Sequence, residues 1–325
     1  MALISGSRPR LVVLRALGLG DLVSAVPALR AIRAARPDHE ILLATPQHFE
    51  PLLRLADAVD RVLPAAGLQP LRWMGPPPDV AVNLHGRGPQ SHRLLADVHP
   101  GELLAFRCPA AGHEGPDWNS AEHEVQRWCR LVQQGWSCPA DPADLRLRPP
   151  RSADADAAAV VVHPGAAFPA RRWPPERFAE VARWADQRGL PVRITGSTDE
   201  VDIARGVARM AGLEEAALVA GRTSIRALAE LVSTARLVVS GDTGIAHLAF
   251  AFGTPSVTMY GPTSPELWGP PQAGPHVALW NGVASKQPFA LEPDPALLAI
   301  NADTVVAAAQ RLISLSVTDA HRSGS

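Results

Sequence analysis

An acid, a hydroxyl and an imidazole lie within seven residues of one another in the stretch VSGDTGIAHL at 239–248. Asp242-Thr243-Gly244 is the tripeptide that aspartic proteases use for catalysis, and His247 follows Thr243 by four residues, which places both on one helix face. An aspartic protease needs two such carboxylates that share a proton. The chain has no second Asp-Thr-Gly or Asp-Ser-Gly, and its 325 residues do not make a small dimeric half-site. The pattern therefore favours a polar binding loop over a protease.

A second acid, Asp21, follows a glycine turn in RALGLGDLVSAVP at 15–27. The turn is similar to the dinucleotide-binding pattern GxGxxG, but Val23 replaces the third glycine and no acid ends the next strand. A carboxylate here would repel a pyrophosphate, whereas it can accept a proton or hydrogen bonds from a neutral hydroxyl. The alternative is that Asp21 only caps its helix, which would stabilise the helix by about 1 kcal/mol.

Two further loops carry charged residues beside glycines. HPGAAFPARRWPPERF at 163–178 joins Gly165 to Arg171 and Arg172, whose guanidinium groups match the oxygens of a diphosphate. The alternative there is a solvated arginine pair before a tryptophan that anchors the packing. In ITGSTDEVDIA at 194–204, Glu200 can accept hydrogen bonds from ribose hydroxyls or can simply favour the first turn of a helix.

Short β-branched runs alternate with amphipathic stretches in both halves of the chain, which predicts parallel sheets. Residues 137–156 are rich in Pro and Asp without a usable period, so they read as a linker between domains at 1–150 and 151–325. The predicted strands are 10–16, 40–46, 79–86, 102–107, 157–163, 191–195, 216–221, 236–240, 255–261 and 276–280. The predicted helices are 21–35 with a kink at Pro27, 120–134, 175–188, 199–211, 224–235, 243–252 and 302–315.

The composition excludes several classes of function. With 31 basic and 32 acidic side chains the protein has no net field that attracts nucleic acid or an anionic membrane. No apolar run approaches the roughly 18 residues of a membrane span. Three cysteines without ligand spacing predict neither a disulfide framework nor a zinc site, and a reducing cytoplasm fits best. Three His-Glu pairs lack the second histidine of HExxH, so no metal site is expected.

Three stretches resemble, in order and spacing, the enzymes of glycosyltransferase family 9, the ADP-heptose:lipopolysaccharide heptosyltransferases and their relatives. They are RALGLGDLVSAVPALRAIR (15–33), HPGAAFPARRWPPERFAEVA (163–182) and SGDTGIAHLAFAFGTPSVTMYGPTSP (240–265). The resemblance implies an α/β GT-B fold with two Rossmann-like domains whose parallel sheets face each other across a cleft. The first domain would bind the acceptor and the second the nucleotide sugar. Inversion at the anomeric carbon and no metal or other cofactor are also implied.

The resemblance also implies roles for single residues. Asp21 would be the general base, and Arg171 falls where the family usually has a lysine on the donor phosphates. This chain contains a single lysine, Lys286, so an arginine at that position is easily accounted for. The full donor-binding prediction comprises Gly165, Arg171, Glu200, Asp242, Thr243, Gly244 and His247. The acceptor-binding prediction comprises Gly20 together with His85 and Arg87 of HGRG (85–88), which can contact an anionic acceptor.

The expected reaction is transfer of a sugar, a heptose by resemblance, from an ADP-linked donor to a hydroxyl of a glycan or glycolipid. This reaction would belong to lipopolysaccharide biosynthesis in the cytoplasm, at the inner face of the membrane where a membrane-borne acceptor is met. No nucleic acid partner is expected. Two alternatives stay open, a GT-B-like sugar-nucleotide epimerase and a non-catalytic nucleotide-sugar-binding protein.

Overall fold

The computed structural model of the protein describes residues 8–150, 158–282 and 289–322. The chain divides into an N-terminal unit, Met1–Leu145, and a C-terminal unit, Arg146–Ser325. The division falls inside the Pro- and Asp-rich stretch, five residues before the predicted domain boundary. Each unit contains one five-stranded sheet in which every pair of neighbouring strands is parallel.

The sheet of the N-terminal unit has the strand order β3-β2-β1-β4-β5, which is the order of the first five strands of a Rossmann sheet. Its strands are β1 (Arg10–Leu14), β2 (Glu40–Thr45), β3 (Arg61–Pro64), β4 (Val80–Asn83) and β5 (Glu102–Leu104). Its helices are α1 (Leu19–Ser24), α2 (Val26–Ala35), α3 (Glu50–Ala56), α4 (Gln90–Ala96) and α5 (Glu124–Trp136). The order of strands reverses between β1 and β4, and ligands of open α/β sheets bind at such a switch point.

The sheet of the C-terminal unit has the order β10-β9-β8-β6-β7, so its switch point lies between β6 and β8. Its strands are β6 (Val160–His163), β7 (Val192–Ile194), β8 (Leu237–Gly241), β9 (Ser256–Met259) and β10 (His276–Leu279). Its helices are α6 (Pro175–Asp186), α7 (Val201–Ala211), α8 (Ile225–Thr234), α9 (Gly244–Phe252), α10 (Pro265–Trp268), α11 (Pro295–Leu298) and α12 (Ala302–Arg322).

The central pair of strands in each sheet, β1 with β4 and β6 with β8, is buried on two faces, which is why these strands are runs of apolar residues rather than alternating patterns. In the C-terminal unit the core includes Trp173, whose ring is fully buried and whose indole N–H donates to the carbonyl oxygen of Ile300 at 2.8 Å. The anchoring role considered for this tryptophan is therefore correct, and it fixes the loop that carries Arg171 and Arg172 against the sheet.

The predicted helix at 21–35 is interrupted where a proline was expected to kink it. α1 ends at Ser24, and α2 begins at Val26 with Pro27 as its second residue. Pro27 has no N–H group to offer the carbonyl of Val23, so one continuous ladder of hydrogen bonds cannot form. The predicted kink is confirmed as a break between two helices.

One predicted strand is wrong. Residues 216–221 form no strand, since Leu218 makes only an isolated bridge with Ile194 and a short 3₁₀ turn occupies Glu215–Ala217. The chain must turn at Gly221, which has a φ of +71°, before α8 begins, and this leaves room for a single bridge. Five short elements were not predicted, because four to seven residues show too little periodicity; they are β3, α3, α4, α10 and α11.

Candidate catalytic and donor-binding sites

Asp21 lies at the switch point of the N-terminal unit, in the first turn of α1 and directly after Gly20. One of its carboxylate oxygens, Oδ2, accepts a hydrogen bond from the N–H of Gly18 at 3.3 Å, and Gly18 is the N-cap residue. The side chain is nevertheless 30% exposed. The carboxylate therefore caps its helix and also remains accessible, so both interpretations of Asp21 stay open.

Arg15, which follows β1, is the main contact of Asp21 and was not predicted as a site residue. Its side chain is 1% exposed, and Nη2 lies 3.4 Å from Asp21 Oδ1. Its Nε donates to the backbone carbonyl of Asp21 at 2.9 Å. The one signal in the sequence was an arginine interrupting an apolar strand, because a buried charge at the end of a strand requires a partner.

His85 comes from the loop after β4 and lies beside the same pair. Its Nδ1 accepts from the N–H of Ala16 at 3.3 Å, which leaves the proton of the neutral ring on Nε2. Burial, reinforced by the charge of Arg15 and opposed by that of Asp21, lowers the pKa of His85 to about 4. His85 is thus close to the predicted base but carries no charge near neutral pH. Arg87 is exposed in the same loop and is the residue there that can attract an anion.

In the C-terminal unit, Asp242 directly follows β8 and lies between two cationic or ionisable side chains. Its Oδ2 is 3.7 Å from Nη1 of Arg171, and its Oδ1 is 3.8 Å from Nε2 of His247. Both distances exceed that of a direct hydrogen bond, and the aspartate is 7% exposed. The structure thus brings together three of the predicted donor-binding residues from two loops and one helix.

Arg171 and the N-terminus of α9 supply positive charge at this edge of the sheet. Thr243 is the N-cap residue of α9 and Gly244 its first residue, and in the described part of the chain no side chain caps this end. Free N–H groups at a helix N-terminus favour anions. The Nε of Arg171 is buried and has no hydrogen-bond partner among the described residues. Arg171 and α9 together form a local environment suited to phosphate oxygens.

Glu200 and Gly165 form a second group at the carboxyl ends of β6 and β7. Glu200 Oε2 accepts from the N–H of Ser197 at 2.8 Å, and it lies 3.9 Å from Nε2 of His163. The Nδ1 of His163 is 3.0 Å from the hydroxyl of Thr195. Burial lowers the pKa of His163 more than the charge of Glu200 raises it. Neither alternative for Glu200 is eliminated, because it belongs to a capping box and also faces a polar histidine.

The described residues contain neither a candidate metal site nor a candidate membrane span. Across 8–150, 158–282 and 289–322, no group of three or more His, Cys, Asp or Glu side chains is arranged to hold a metal ion. Within the same ranges no helix combines the length and the apolar character needed to cross a membrane.

Comparison with known proteins relates the chain to one family. The sequence profile described as "Glycosyltransferase family 9 (heptosyltransferase)" matches residues 116–290, just over half of the chain. Lipopolysaccharide heptosyltransferase 1 of Pseudomonas aeruginosa is 35% identical over 154 residues, which cover 46% of this chain and 42% of that protein. Lipopolysaccharide heptosyltransferase 1 of Salmonella typhimurium is 25% identical over 291 residues, which cover 80% of this chain and 90% of that protein.

The fold agrees with that of a solved structure of the same family. The structure of the ADP-heptose lipopolysaccharide heptosyltransferase II of Escherichia coli aligns with a TM-score of 0.76 at 18% identity and covers 94% of this chain and 99% of that one. At this level of identity the likeness establishes the GT-B fold, with its two parallel α/β sheets, and nothing beyond the fold. The family profile, which matches more than half of the residues, shows that the chain belongs to glycosyltransferase family 9 and is an enzyme of that class.

Proposed function

We propose that the protein is an inverting, metal-independent glycosyltransferase that moves a heptose from an ADP-linked donor to a hydroxyl of a glycan or glycolipid. Membership of family 9 supports sugar transfer, and the names of the relatives support a heptose donor and a lipopolysaccharide acceptor. The proposed compartment is the cytoplasm, at the inner face of the membrane, where a nucleotide sugar can meet a membrane-borne acceptor.

The observation that carries the proposal is the Asp21 carboxylate, held at a switch point and still exposed to ligand. As general base it takes the proton of the acceptor hydroxyl while that oxygen attacks the anomeric carbon of the sugar. The bond from that carbon to the phosphate oxygen breaks, and its electron pair leaves with the nucleoside diphosphate. A single displacement of this kind inverts the configuration and needs one base on the attacking side.

The residues at the switch point of the C-terminal unit suit the donor. The leaving diphosphate gains negative charge, which Arg171 and the N-terminus of α9 at Thr243 and Gly244 can stabilise without reorganisation. Asp242 and His247 offer an acceptor and an imidazole to the hydroxyls of the transferred sugar. At the neighbouring strand ends, Glu200 beside Gly165 offers a carboxylate to the ribose.

On the acceptor side we propose Gly20, His85 and Arg87. Gly20 lets the acceptor approach the backbone next to Asp21, because it has no side chain. A neutral His85 can donate a hydrogen bond from Nε2 to an acceptor oxygen. The exposed guanidinium of Arg87 can pair with an anionic group of the acceptor.

A thermal-shift screen tests the donor. Binding to the folded state alone stabilises it by RT ln(1+[L]/Kd), so the unfolding temperature should rise with ADP-heptose more than with UDP- or GDP-hexoses. A larger shift with a UDP- or GDP-hexose would contradict the proposed donor. Incubation of the donor without acceptor separates the epimerase alternative, because formation of an epimer would overturn transfer as the function.

The base is tested with ADP-heptose and deacylated, heptose-free lipopolysaccharide as the acceptor probe. Asp21→Asn should bind ADP-heptose like the unaltered protein while transfer falls by about 10²- to 10⁴-fold, the usual contribution of a general base. A variant that transfers at the original rate would remove Asp21 from the mechanism. Absence of transfer by the unaltered protein would instead favour a non-catalytic nucleotide-sugar-binding protein.

A further inference from the structure

A buried network of charges lies behind Asp21, and no step of the proposed reaction uses it. Its centre is Glu124, the first residue of α5, which is 5% exposed. Its Oε1 accepts from Arg15 Nη2 at 2.9 Å and from the indole N–H of Trp128 at 2.7 Å. Its Oε2 accepts from Arg127. The carboxylate thus has hydrogen-bond donors on both oxygens and pairs with both arginines.

Arg15 connects this counter-ion to the predicted base. Its Nε donates to the backbone carbonyl of Asp21 at 2.9 Å, and its Nη2 lies 3.4 Å from Asp21 Oδ1. Nη1 donates to the carbonyl of Leu84, and Nη2 also reaches the hydroxyl of Ser24 at 3.2 Å. The ring of Trp128 stacks on the guanidinium at 4.8 Å. These contacts fix the planar guanidinium of Arg15, which bonds to both the main chain and the side chain of Asp21.

The break between α1 and α2 makes the Asp21 carbonyl available for this contact. In an uninterrupted helix that carbonyl would accept from the N–H of Ala25, four residues on. Here the N–H of Ala25 donates to Leu22 at 3.2 Å instead. The Asp21 carbonyl accepts from Arg15 and from the hydroxyl of Ser24, each at 2.9 Å. The interruption before Pro27 therefore exchanges a helical hydrogen bond for a fixed link to a buried arginine.

The distances show how the negative charges share Arg15. Glu124 lies 2.9 Å from Nη2, whereas the Asp21 carboxylate lies 3.4 Å away. Because Glu124 makes the closer contact with the buried guanidinium, Asp21 does not have to turn inward to pair with it. Its carboxylate keeps one contact on each oxygen, from Arg15 and from Gly18, and retains lone pairs on its exposed side.

We infer that Arg15, held in place by Glu124, positions the Asp21 carboxylate for proton transfer. This inference rests on the proposed function, in which Asp21 is the base. Arg15 is a positioning residue rather than a catalytic one, because its buried side chain touches no substrate and acts only through Asp21. A base must lie within hydrogen-bond reach of its proton, and a displacement of about 1 Å can cost about 100-fold in rate.

A double-mutant cycle with Asp21→Asn tests this inference, with ADP-heptose and deacylated, heptose-free lipopolysaccharide as substrates. Arg15→Lys keeps a positive charge but loses the planar fork. Glu124→Gln keeps the size of the side chain but removes its charge. In the otherwise unaltered protein each should lower kcat by about 10- to 100-fold while KM for ADP-heptose stays within about threefold. In the Asp21→Asn background each should change kcat by less than about threefold, because the group they position is gone.

The cycle separates positioning from loss of structure. A variant that only lowers the folded fraction reduces kcat by the same factor in both backgrounds, so equal factors would overturn the inference and leave Asp21 as the base. The matched control is Arg33→Lys in α2, since Arg33 also holds an acid, Asp60, and a backbone carbonyl, that of His39. Arg33→Lys should change kcat by the same factor in the unaltered protein and in the Asp21→Asn background. Full activity of Asp21→Asn would overturn the proposed base as well, a result distinct from equal factors.

Discussion

The carboxylate of Glu200 occupies the space that a side chain on Gly165 would need. A Cβ atom at Gly165 would lie 2.2 to 2.5 Å from Cδ, Oε1 and Oε2 of Glu200, far inside van der Waals contact. The backbone of Gly165 does not have a positive φ, so only this contact demands glycine. The smallest residue in the HPG turn therefore serves to admit an acid from the loop after β7.

Gly165→Ala should consequently weaken donor binding with little loss of fold. The end of a glutamate side chain is flexible, so it can move aside, but it then leaves the N–H of Ser197 and its place beside His163. If Glu200 binds the ribose, the lost hydrogen bond should lower the affinity for ADP by about fivefold, since one such bond contributes about 1 kcal/mol. Isothermal titration calorimetry with ADP measures this change.

Gly206→Ala in α7 is the matched control. A Cβ atom at Gly206 meets nothing within 4 Å, and alanine is the better helix former by about 1 kcal/mol. This variant should bind ADP unchanged and unfold at a slightly higher urea concentration. Unchanged affinity in Gly165→Ala as well would mean that Glu200 only caps its helix.

Arg171→Ala should weaken binding of the diphosphate specifically. Its guanidinium lies beside the N-terminus of α9, and a charge-assisted hydrogen bond contributes about 1.5 to 3 kcal/mol. The affinity for ADP should fall by about 10- to 100-fold, whereas that for adenosine should not change. Arg171→Lys should retain most of the affinity, because a phosphate also accepts a compact point charge.

The neighbouring arginine provides the control for this prediction. Arg172 donates from Nε to the carbonyl of Ala166 at 3.0 Å, so its role is to hold the loop. Arg172→Ala should leave the ratio of the two affinities unchanged, because any effect of a displaced loop acts on ADP and adenosine equally. If Arg171→Ala affects both ligands equally, the phosphate role belongs elsewhere.

The parts of the fold that the sequence predicted are those that depend on residues close to one another along the chain. Long apolar runs predicted the central strands, glycines and capping residues predicted most helix ends, and Pro27 predicted the break after α1. The loops that carry Asp21, Arg171 and Asp242 were found because each follows a predicted strand. The strand at 216–221 failed because local β-propensity does not reveal that a chain must turn before a strand can extend.

The environment of the base depends on contacts that the sequence does not display. Arg15 and Glu124 are separated by 109 residues, and neither belongs to a sequence motif that predicts contact with the other. Likewise the approach of Glu200 to Gly165 joins two loops through space rather than along the chain. A sequence can therefore locate Asp21 at a strand end, but the side chains that orient it emerge only from the folded unit.

The buried histidines predict a loss of stability in mild acid. Burial, with the charge of Arg146, lowers the pKa of His276 to about 4, as burial and Arg15 do for His85. In the unfolded chain these groups titrate near 6.5, so between pH 6.5 and 4 the unfolded state binds more protons. Stability should be complete above pH 6.5 and fall below it, by at most about 1.4 kcal/mol per pH unit for each histidine.

Urea unfolding at pH 7, 6, 5 and 4.5 measures this slope. His276→Gln should reduce it, because glutamine takes up no proton, while it can still bond to the hydroxyl of Ser256 that contacts Nδ1 at 2.9 Å. Asp60 does not contribute to this slope. Burial raises its pKa, but hydrogen bonds from Ile41 and Arg33 outweigh burial and lower the pKa below 3.8. Its stabilising charge is therefore lost only below the pH range of these titrations. An unchanged slope in His276→Gln would show that His276 titrates normally in the folded protein.

The last prediction concerns two hydroxyls in the sheet of the C-terminal unit. Thr258 on β9 stands in register with Ser240 on β8, both are buried, and neither hydroxyl has a hydrogen-bond partner in the described part of the chain. Burying a hydroxyl without a partner costs about 1 to 3 kcal/mol, and an apolar group of the same shape avoids that cost. Thr258→Val should therefore raise the free energy of unfolding by about 1 kcal/mol. Thr254→Val is the matched control, since the equally buried hydroxyl of Thr254 donates to the carbonyl of Val232 at 2.8 Å. This control should lower the free energy of unfolding by about 1 kcal/mol. Urea titrations of both variants at pH 7 compare the two, and a loss of similar size in both would mean that the hydroxyl of Thr258 is hydrogen-bonded in solution.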